Sequence, residues 1–268
     1  MPYTNELALA LSLADAVDAV TTAGYQGDLD IEFKADDTPV TAVDRAAEKL
    51  IRDRLLAEYP ADTIVGEEYG VTQGTATLNS PRRWVIDPID GTKNFVRGVP
   101  VWATLIGLIV DDVAVVGVVS APALGRRWYA SQGSGAWSVT TLPGFPTEPR
   151  RLSVSAIATA KDASLSFSSL IGWETRDLLD PLLDLTRIAT RTRAYGDFWS
   201  YIMVAEGAVD IACEPELALH DMAALVPIIT EAGGRFTSLA GTAGPFCGDA
   251  LATNGILHDE VVEILAPR

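Results

Sequence analysis

Two apolar runs in the middle of the chain constrain its fold more than any other feature. Residues 101–110, "VWATLIGLIV", and 113–122, "VAVVGVVSAP", are apolar almost throughout, and only Asp111 and Asp112 separate them. Strand-like runs flanking an acidic tight turn predict a β-hairpin. Strands apolar on both sides cannot leave either face in water, so helices are expected to cover the sheet.

Candidate covering helices stand on either side of the hairpin. Residues 4–24 read as an amphipathic helix, with Leu7, Leu11, Ala14 and Val17 at helical spacing and Gly24 at its end. A second helix runs through "TAVDRAAEKLIRDRLLAEYP", opened by Thr41 and stopped by Pro60. "DTIVGEEYG" reads as a short strand entering an acidic loop, "RRWVIDP" as a strand, and "GTKNFVRG" as a short helix from Gly91 or Thr92. "RRWYAS" adds a strand after the hairpin. Residues 140–150 carry three prolines and read as a connection between two parts. The first, 1–140, is expected to be an α+β half with two helices, an antiparallel sheet and the main acidic motifs. In the second, 150–268, the strands "SLSFSS", "TRTRAY", "AVDIACEP", "GRFTSL" and "ALATN" alternate with helices. Those helices are "LLDPLLDLTRI", "GDFWSYIMVAEG", "HDMAALVPIITEAGG" and "LHDEVVEIL", an order typical of layered α/β folds.

Charge narrows the partners. The net charge of −16, from 36 acids and 20 basic residues, repels a phosphate backbone and argues against nucleic-acid binding. A small phosphorylated substrate remains compatible if cations in the site invert the local field. The N-terminus lacks a basic segment and cleavage site, and no long uncharged run suggests a membrane span. Cys213 and Cys247 form no disulfide framework or metal spacing, so a cytoplasmic protein is expected.

The most informative short stretch is "WVIDPIDGTKNF", residues 84–95. Asp87 could close an Asx-turn and Asp90 could cap the helix that follows. However, Pro88 stiffens the turn, and two carboxylates held together are costly without a proton or a cation. Oxygen ligands at fixed separation suit a hard ion such as Mg2+, and the Ile89 carbonyl could add a ligand. Gly91 and Thr92 then offer backbone N–H groups and a hydroxyl as a phosphate seat. Glu67 and Glu68 end another strand and gain weight only if a binuclear site needs more acids. Asp44 fits both a capping box with Thr41 and a catalytic acid. Asp221 opens a helix, where capping is the ordinary role, and His220 beside it reads as a packed or surface side chain. With only His220 and His258 in the chain, a His-rich zinc site is not available.

"GEE", "WVIDPIDGTKNF" and "HDMAALVPIITEAGG" stand in the order and spacing of the inositol monophosphatase family, which the chain resembles along nearly its whole length. "GTKNFVRGVPVWATLIGL", "GVVSAPALGRRW", "SLSFSS" and "RAYGDFWSY" look most like its histidinol-phosphate phosphatase branch. The resemblance implies an α/β (α+β) fold, a layered αβαβα sandwich of the inositol monophosphatase and fructose-bisphosphatase type. It also implies a lithium-sensitive, Mg2+-dependent phosphomonoesterase using two or three ions, expected as a homodimer. Glu67, Asp87 and the Ile89 carbonyl resemble ligands of a first ion. Asp87 would bridge to a second, held also by Asp90 and Asp221, with Glu68 near a weaker third. Thr92 resembles the hydroxyl that positions the attacking water, with Asp44 its acidic partner, and the Gly91 and Thr92 N–H groups would bind phosphate. Glu214 aligns with an acid that contacts the substrate alcohol, and Lys93, Arg193 and Asp197 are expected around the substrate. His220 stands where much of the family has Trp. The implied reaction is hydrolysis of L-histidinol phosphate to L-histidinol and phosphate. Inositol-1-monophosphatase or a broad phosphatase is the alternative, and a degenerate metal-binding member the reading from another class. A carboxylate-pair glycosidase would explain two acids but neither the Gly-Thr seat nor Asp221.

Overall fold

A computed structural model describes residues 2–27, 31–33, 39–75, 81–142 and 144–266. In chain order the elements begin with α1 (Thr4–Gly24), β1 (Ile31–Phe33), β2 (Pro39–Thr41), α2 (Ala42–Glu58), β3 (Thr63–Gly66) and β4 (Gly70–Thr72). Next come β5 (Arg82–Asp90), α3 (Thr92–Val96), β6 (Ala103–Val110), β7 (Val113–Ala121), β8 (Arg126–Ser131), β9 (Ala136–Thr140) and β10 (Arg150–Arg151). The remainder comprises β11 (Ser164–Phe167), α4 (Leu170–Thr175), α5 (Leu179–Ile188), β12 (Arg191–Arg193) and α6 (Asp197–Ala205). The chain closes with β13 (Ile211–Glu214), α7 (Leu219–Met222), α8 (Leu225–Glu231), β14 (Arg235–Thr237), β15 (Ala250–Thr253) and α9 (His258–Leu265).

Two sheets carry the architecture. The larger has eight strands in the order β10-β9-β8-β7-β6-β5-β3-β4, antiparallel except where β3 runs parallel to β5. The smaller has five in the order β12-β11-β13-β15-β14, with β11 parallel to both β12 and β13. The apolar hairpin is β6–β7, turning at Asp111 and Asp112, both at positive φ. It lies at the centre of the larger sheet, and helices cover both of its faces.

On one face, Ala10, Leu13, Ala14 and Val17 of α1 join Ala47, Ile51 and Leu55 of α2 over Trp84, Ile86, Ile106, Leu108 and Val116. Each fully buried Leu or Ile contributes roughly 1.5–3 kcal/mol. Among the described residues, α1 alone is long and apolar enough to cross a membrane by length and composition. Here that apolar stripe is spent on the sheet, and its Asp18 meets Arg127 of β8 at 2.7 Å. On the other face, Phe198, Tyr201 and Ile202 of α6 and Leu225, Ile228 and Ile229 of α8 fill the space between the sheets. Beyond the smaller sheet, Trp173, Leu182, Leu185, Val261 and Leu265 of α4, α5 and α9 form the outer layer. The result is a layered α/β sandwich with the helix–sheet–helix–sheet–helix order expected from the sequence.

Some local expectations need amendment. "HDMAALVPIITEAGG" is not one helix but two, α7 and α8, broken at Ala223–Ala224. Pro227 is the physical reason: it has no N–H for the Ala223 carbonyl, and its ring crowds that turn. The break sits against the sheet. A Cβ on Gly117 would lie 2.0 Å from the Ala224 carbonyl oxygen, so only glycine lets the backbones approach so closely. The strands β1, β2, β4, β9 and β10 and the short helix α4 are additions that the texture of the sequence did not suggest. Pro143 of the proline-rich connection lies outside the described residues.

Candidate active site

The site begins with an irregularity in β5. Asp87 pairs with Leu105 and Asp90 with Ala103, so two residues of β5 oppose one of β6. In a regular strand, residues three apart point to opposite faces. The extra residue turns Asp90 back toward the side of Asp87. Pro88 suits the bulge, and its carbonyl is taken by the Thr104 hydroxyl at 2.8 Å. Asp87 Oδ1 also accepts the Ile89 N–H at 3.0 Å, the expected Asx-turn. Gly91 then takes a φ of +84°, with an added Cβ only 3.0 Å from the Val101 carbonyl oxygen, so the turn into α3 needs glycine.

Other elements bring acids to this bulge. Single oxygens of Asp87, Asp90 and Asp221 lie within 4.8 Å of one another. Ligand atoms of Glu67, Asp87 and His220 form a second such group, with Asp87 common to both. Glu67 follows β3, and its N–H donates to the Ile86 carbonyl of β5 at 3.2 Å. Asp221 sits on α7, where one oxygen accepts the Ala218 N–H at 2.7 Å, so its capping role and its place in the group coexist. His220, read from sequence as a packed or surface side chain, is partly exposed and has a ring nitrogen in that group with Glu67 and Asp87.

The electrostatics follow from this crowding. Burial drives the Asp87 carboxyl well above the usual carboxylate range, and the charges of Glu67, Asp90 and Asp221 push it further. Asp90 is raised well above that range by desolvation and then by Asp197 and Asp221, despite the Phe198 N–H that it accepts at 2.7 Å. Asp221 is raised by desolvation, partly offset by His220 and the Ala218 N–H. An oxygen-rich group that repels itself this strongly fits a divalent cation by the chemistry of its donors.

The remaining candidates form a rim. Asp197 opens α6 at a φ of +49°, and its Oδ2 accepts from Asn94 Nδ2 at 2.9 Å. Burial and Asp221 raise it to about 6, and Lys93 pulls the other way. Glu214, at the end of β13, is buried and is raised by burial to about 8. The Ser168 and Tyr201 hydroxyls beside it partly offset that shift. Arg193, on β12, is exposed, and its Nη1 donates to the Thr192 carbonyl at 2.7 Å.

Thr92 and Asp44 are not hydrogen-bonded to each other. The Thr92 hydroxyl donates to the Ile89 carbonyl at 3.0 Å. Asp44 Oδ2 completes the capping box of α2, accepting the Thr41 N–H at 2.8 Å and its hydroxyl at 2.5 Å. Its Oδ1, however, is buried without a partner, and burial together with the nearby Glu67 charge raises this carboxyl. The structural role therefore uses one oxygen and leaves the other unspent.

Sequence reading passed over Glu48 and Arg52. Glu48 is fully buried, receives the Glu68 N–H at 2.7 Å and the Tyr69 N–H at 3.2 Å, and pairs with Arg52 at 2.6 Å. Arg52 also holds Thr72 at 2.8 Å and the Gly70 carbonyl, clamping the β3–β4 turn that carries Glu67 and Glu68. The available clue was their i,i+4 spacing beside the buried stripe Ala47, Ile51 and Leu55.

A histidinol-phosphatase of Streptomyces coelicolor is 55% identical, covering 99% of this chain and 98% of its own length. One from Mycobacterium tuberculosis is 54% identical, covering 96% of each. Among solved structures, an IMPase of Thermotoga maritima superposes with a TM-score of 0.83 at 29% identity, over 98% of this chain and 97% of the other. The model of the inositol monophosphatase family matches residues 3–265, and the chain belongs to that family.

Proposed function

We propose that the protein is a Mg2+-dependent phosphomonoesterase that hydrolyses L-histidinol phosphate to L-histidinol and phosphate, a step of histidine biosynthesis. The observation that carries the reading is the identity above one half, across nearly the whole chain, with two relatives named histidinol-phosphatase. The converging acids support the metal requirement. Asp87, Asp90 and Asp221 would hold one ion, and Glu67, Asp87 and the Ile89 carbonyl another, with Glu68 beside a third position. A carbonyl oxygen has two lone pairs, so Ile89 can accept from Thr92 and still serve as a ligand. When bound, the ions neutralise phosphate charge and make a water acidic enough to attack at neutral pH.

The rest of the work belongs to the chain. While its own proton goes to Ile89, the Thr92 hydroxyl keeps lone pairs that can receive a hydrogen bond from the attacking water and so orient it. Asp44, through its unpartnered Oδ1, accepts the hydrogen bond or proton of that water, and the departing alkoxide takes a proton from a water molecule. The Gly91 and Thr92 N–H groups receive phosphate oxygens. Glu214 and Asp197 receive the substrate's ammonium group, Lys93 tempers the charge of Asp197, and Arg193 adds a further contact to the substrate. The free thiols Cys213 and Cys247 accord with a cytoplasmic enzyme, and we expect it to act as a homodimer.

The deciding experiment compares kcat/KM on L-histidinol phosphate and inositol-1-phosphate with Mg2+. Preference for histidinol phosphate supports the proposal, and preference for the inositol ester overturns the substrate. No phosphate release across a panel of monoesters would leave the catalytically degenerate reading instead.

A further inference from the structure

The two metal-competent groups differ in donor chemistry. Asp87, Asp90 and Asp221 present oxygen alone, whereas Glu67, Asp87 and His220 present two carboxylates and an imidazole within 4.8 Å. All-oxygen sets suit Mg2+, while an imidazole nitrogen shifts preference toward Mn2+ and Zn2+. The His220 ring has a fixed place in the wall. It sits on α7 directly before Asp221, only partly exposed, with Nε2 3.6 Å from Asp221 Oδ1. Leu219 beside it packs near Val65 and Val85, tying α7 to the strands that deliver Glu67 and Asp87.

We propose that His220 is a nitrogen ligand at the position bounded by Glu67 and Asp87, and that this position prefers Mn2+ or Zn2+ over Mg2+. The proposal rests on the metal-phosphatase reading and sharpens it. The two neighbouring positions, sharing Asp87, are chemically unequal, so one protein can be loaded with two different ions.

The chain makes this cleanly testable because it has only two histidines. His258 is buried, with both ring nitrogens engaged by hydroxyls, Thr237 at 2.9 Å and Thr253 at 3.0 Å. Nitrogen coupled to a bound ion therefore comes from His220. The experiment loads the metal-stripped full chain with less than one equivalent of Mn2+ and records electron spin-echo modulation. Histidine-derived 14N modulation is expected, changing to the 15N pattern when histidine is labelled. In His220→Gln the modulation should vanish. Calorimetry should show Mn2+ affinity falling by at least about tenfold in that variant, with a much smaller change for Mg2+. Absence of nitrogen modulation in the wild type overturns the proposal, needing no variant to fold. Equal losses of Mn2+ and Mg2+ affinity in the variant, with a metal-free melting curve like wild type, overturn the selectivity. Mg2+-supported phosphate release by the wild type is read separately, so failure of the ligand assignment and failure of the phosphatase reading are distinct results.

Discussion

Glu48 Oε2 accepts the backbone N–H of Glu68 at 2.7 Å, joining the buried side of α2 to the loop that bears Glu67. A carboxylate with no solvent exposure is thus a support beam for the acidic loop, held in turn by Arg52 at 2.6 Å.

Replacing Glu48 with Gln should strand the Arg52 charge in a buried setting. We expect a loss of about 3–5 kcal/mol, the range for breaking a buried ion pair from one side. Urea unfolding measures it. The double variant Glu48→Gln/Arg52→Met should lose less than the sum of the two single changes, because it leaves no unpaired charge. Additive losses would contradict the coupling.

Gly66 lies under the same clamp. A Cβ there would meet Glu48 Oε1 at 2.0 Å and Arg52 Nη2 at 2.7 Å. Gly66→Ala should therefore cost about 1–3 kcal/mol by overpacking, although its backbone φ is not in the left-handed region. Thermal melting that matches wild type would show that the clamp can move aside.

Asp90→Asn separates chemistry from folding. The amide oxygen can still accept the Phe198 N–H, while the charge repelled by Asp197 and Asp221 is gone. Turnover with Mg2+ should fall at least about 100-fold, and the metal-free melting temperature should rise. An unchanged rate would remove Asp90 from the machinery.

Glu214 gives a pH signature. Its carboxyl is raised from 4.5 to about 8 by burial, so the metal-free folded state binds a proton that the unfolded state releases earlier. Stability from this group is complete below about pH 4.5 and is lost as pH rises through about 8. Metal-free Glu214→Gln should therefore gain on wild type as pH climbs through that window. Urea midpoints at pH 5 and pH 9 test the sign, and a gain confined to the acid side would refute it.

Thr41 and Asp44 can be separated in the same way. Thr41→Ala removes the cap of α2 and should cost about 1 kcal/mol with little effect on turnover. Asp44→Ala should lose a similar amount of stability together with most of the turnover. Equal activity in the two variants would reduce Asp44 to a capping residue.

The layers and the main acids were legible because their cues are local. Apolar runs announced β6 and β7, helical spacing announced α1 and α2, and Asp87 and Asp90 stood within one short quotation of sequence. What escaped depended on three dimensions. The stiff turn at Pro88 points to Asp87 and Asp90 held together, but the bulge of β5 against β6 that achieves it shows only in the sheet pairing. The nearness of His220 to Glu67 and Asp87 is invisible in the sequence because they lie more than a hundred residues upstream. The continuous helix read through "HDMAALVPIITEAGG" failed at Pro227, where the periodic pattern outweighed a breaker in plain sight.

The gathering of these acids also orders events during synthesis. Glu67, Asp87 and Asp90 emerge early, whereas Asp221 follows three of the smaller sheet's five strands, β11, β12 and β13. A nascent chain lacking α7 carries part of the acidic wall but not the side chain that closes it. The oxygen group of Asp87, Asp90 and Asp221 therefore forms only once α7 has been made.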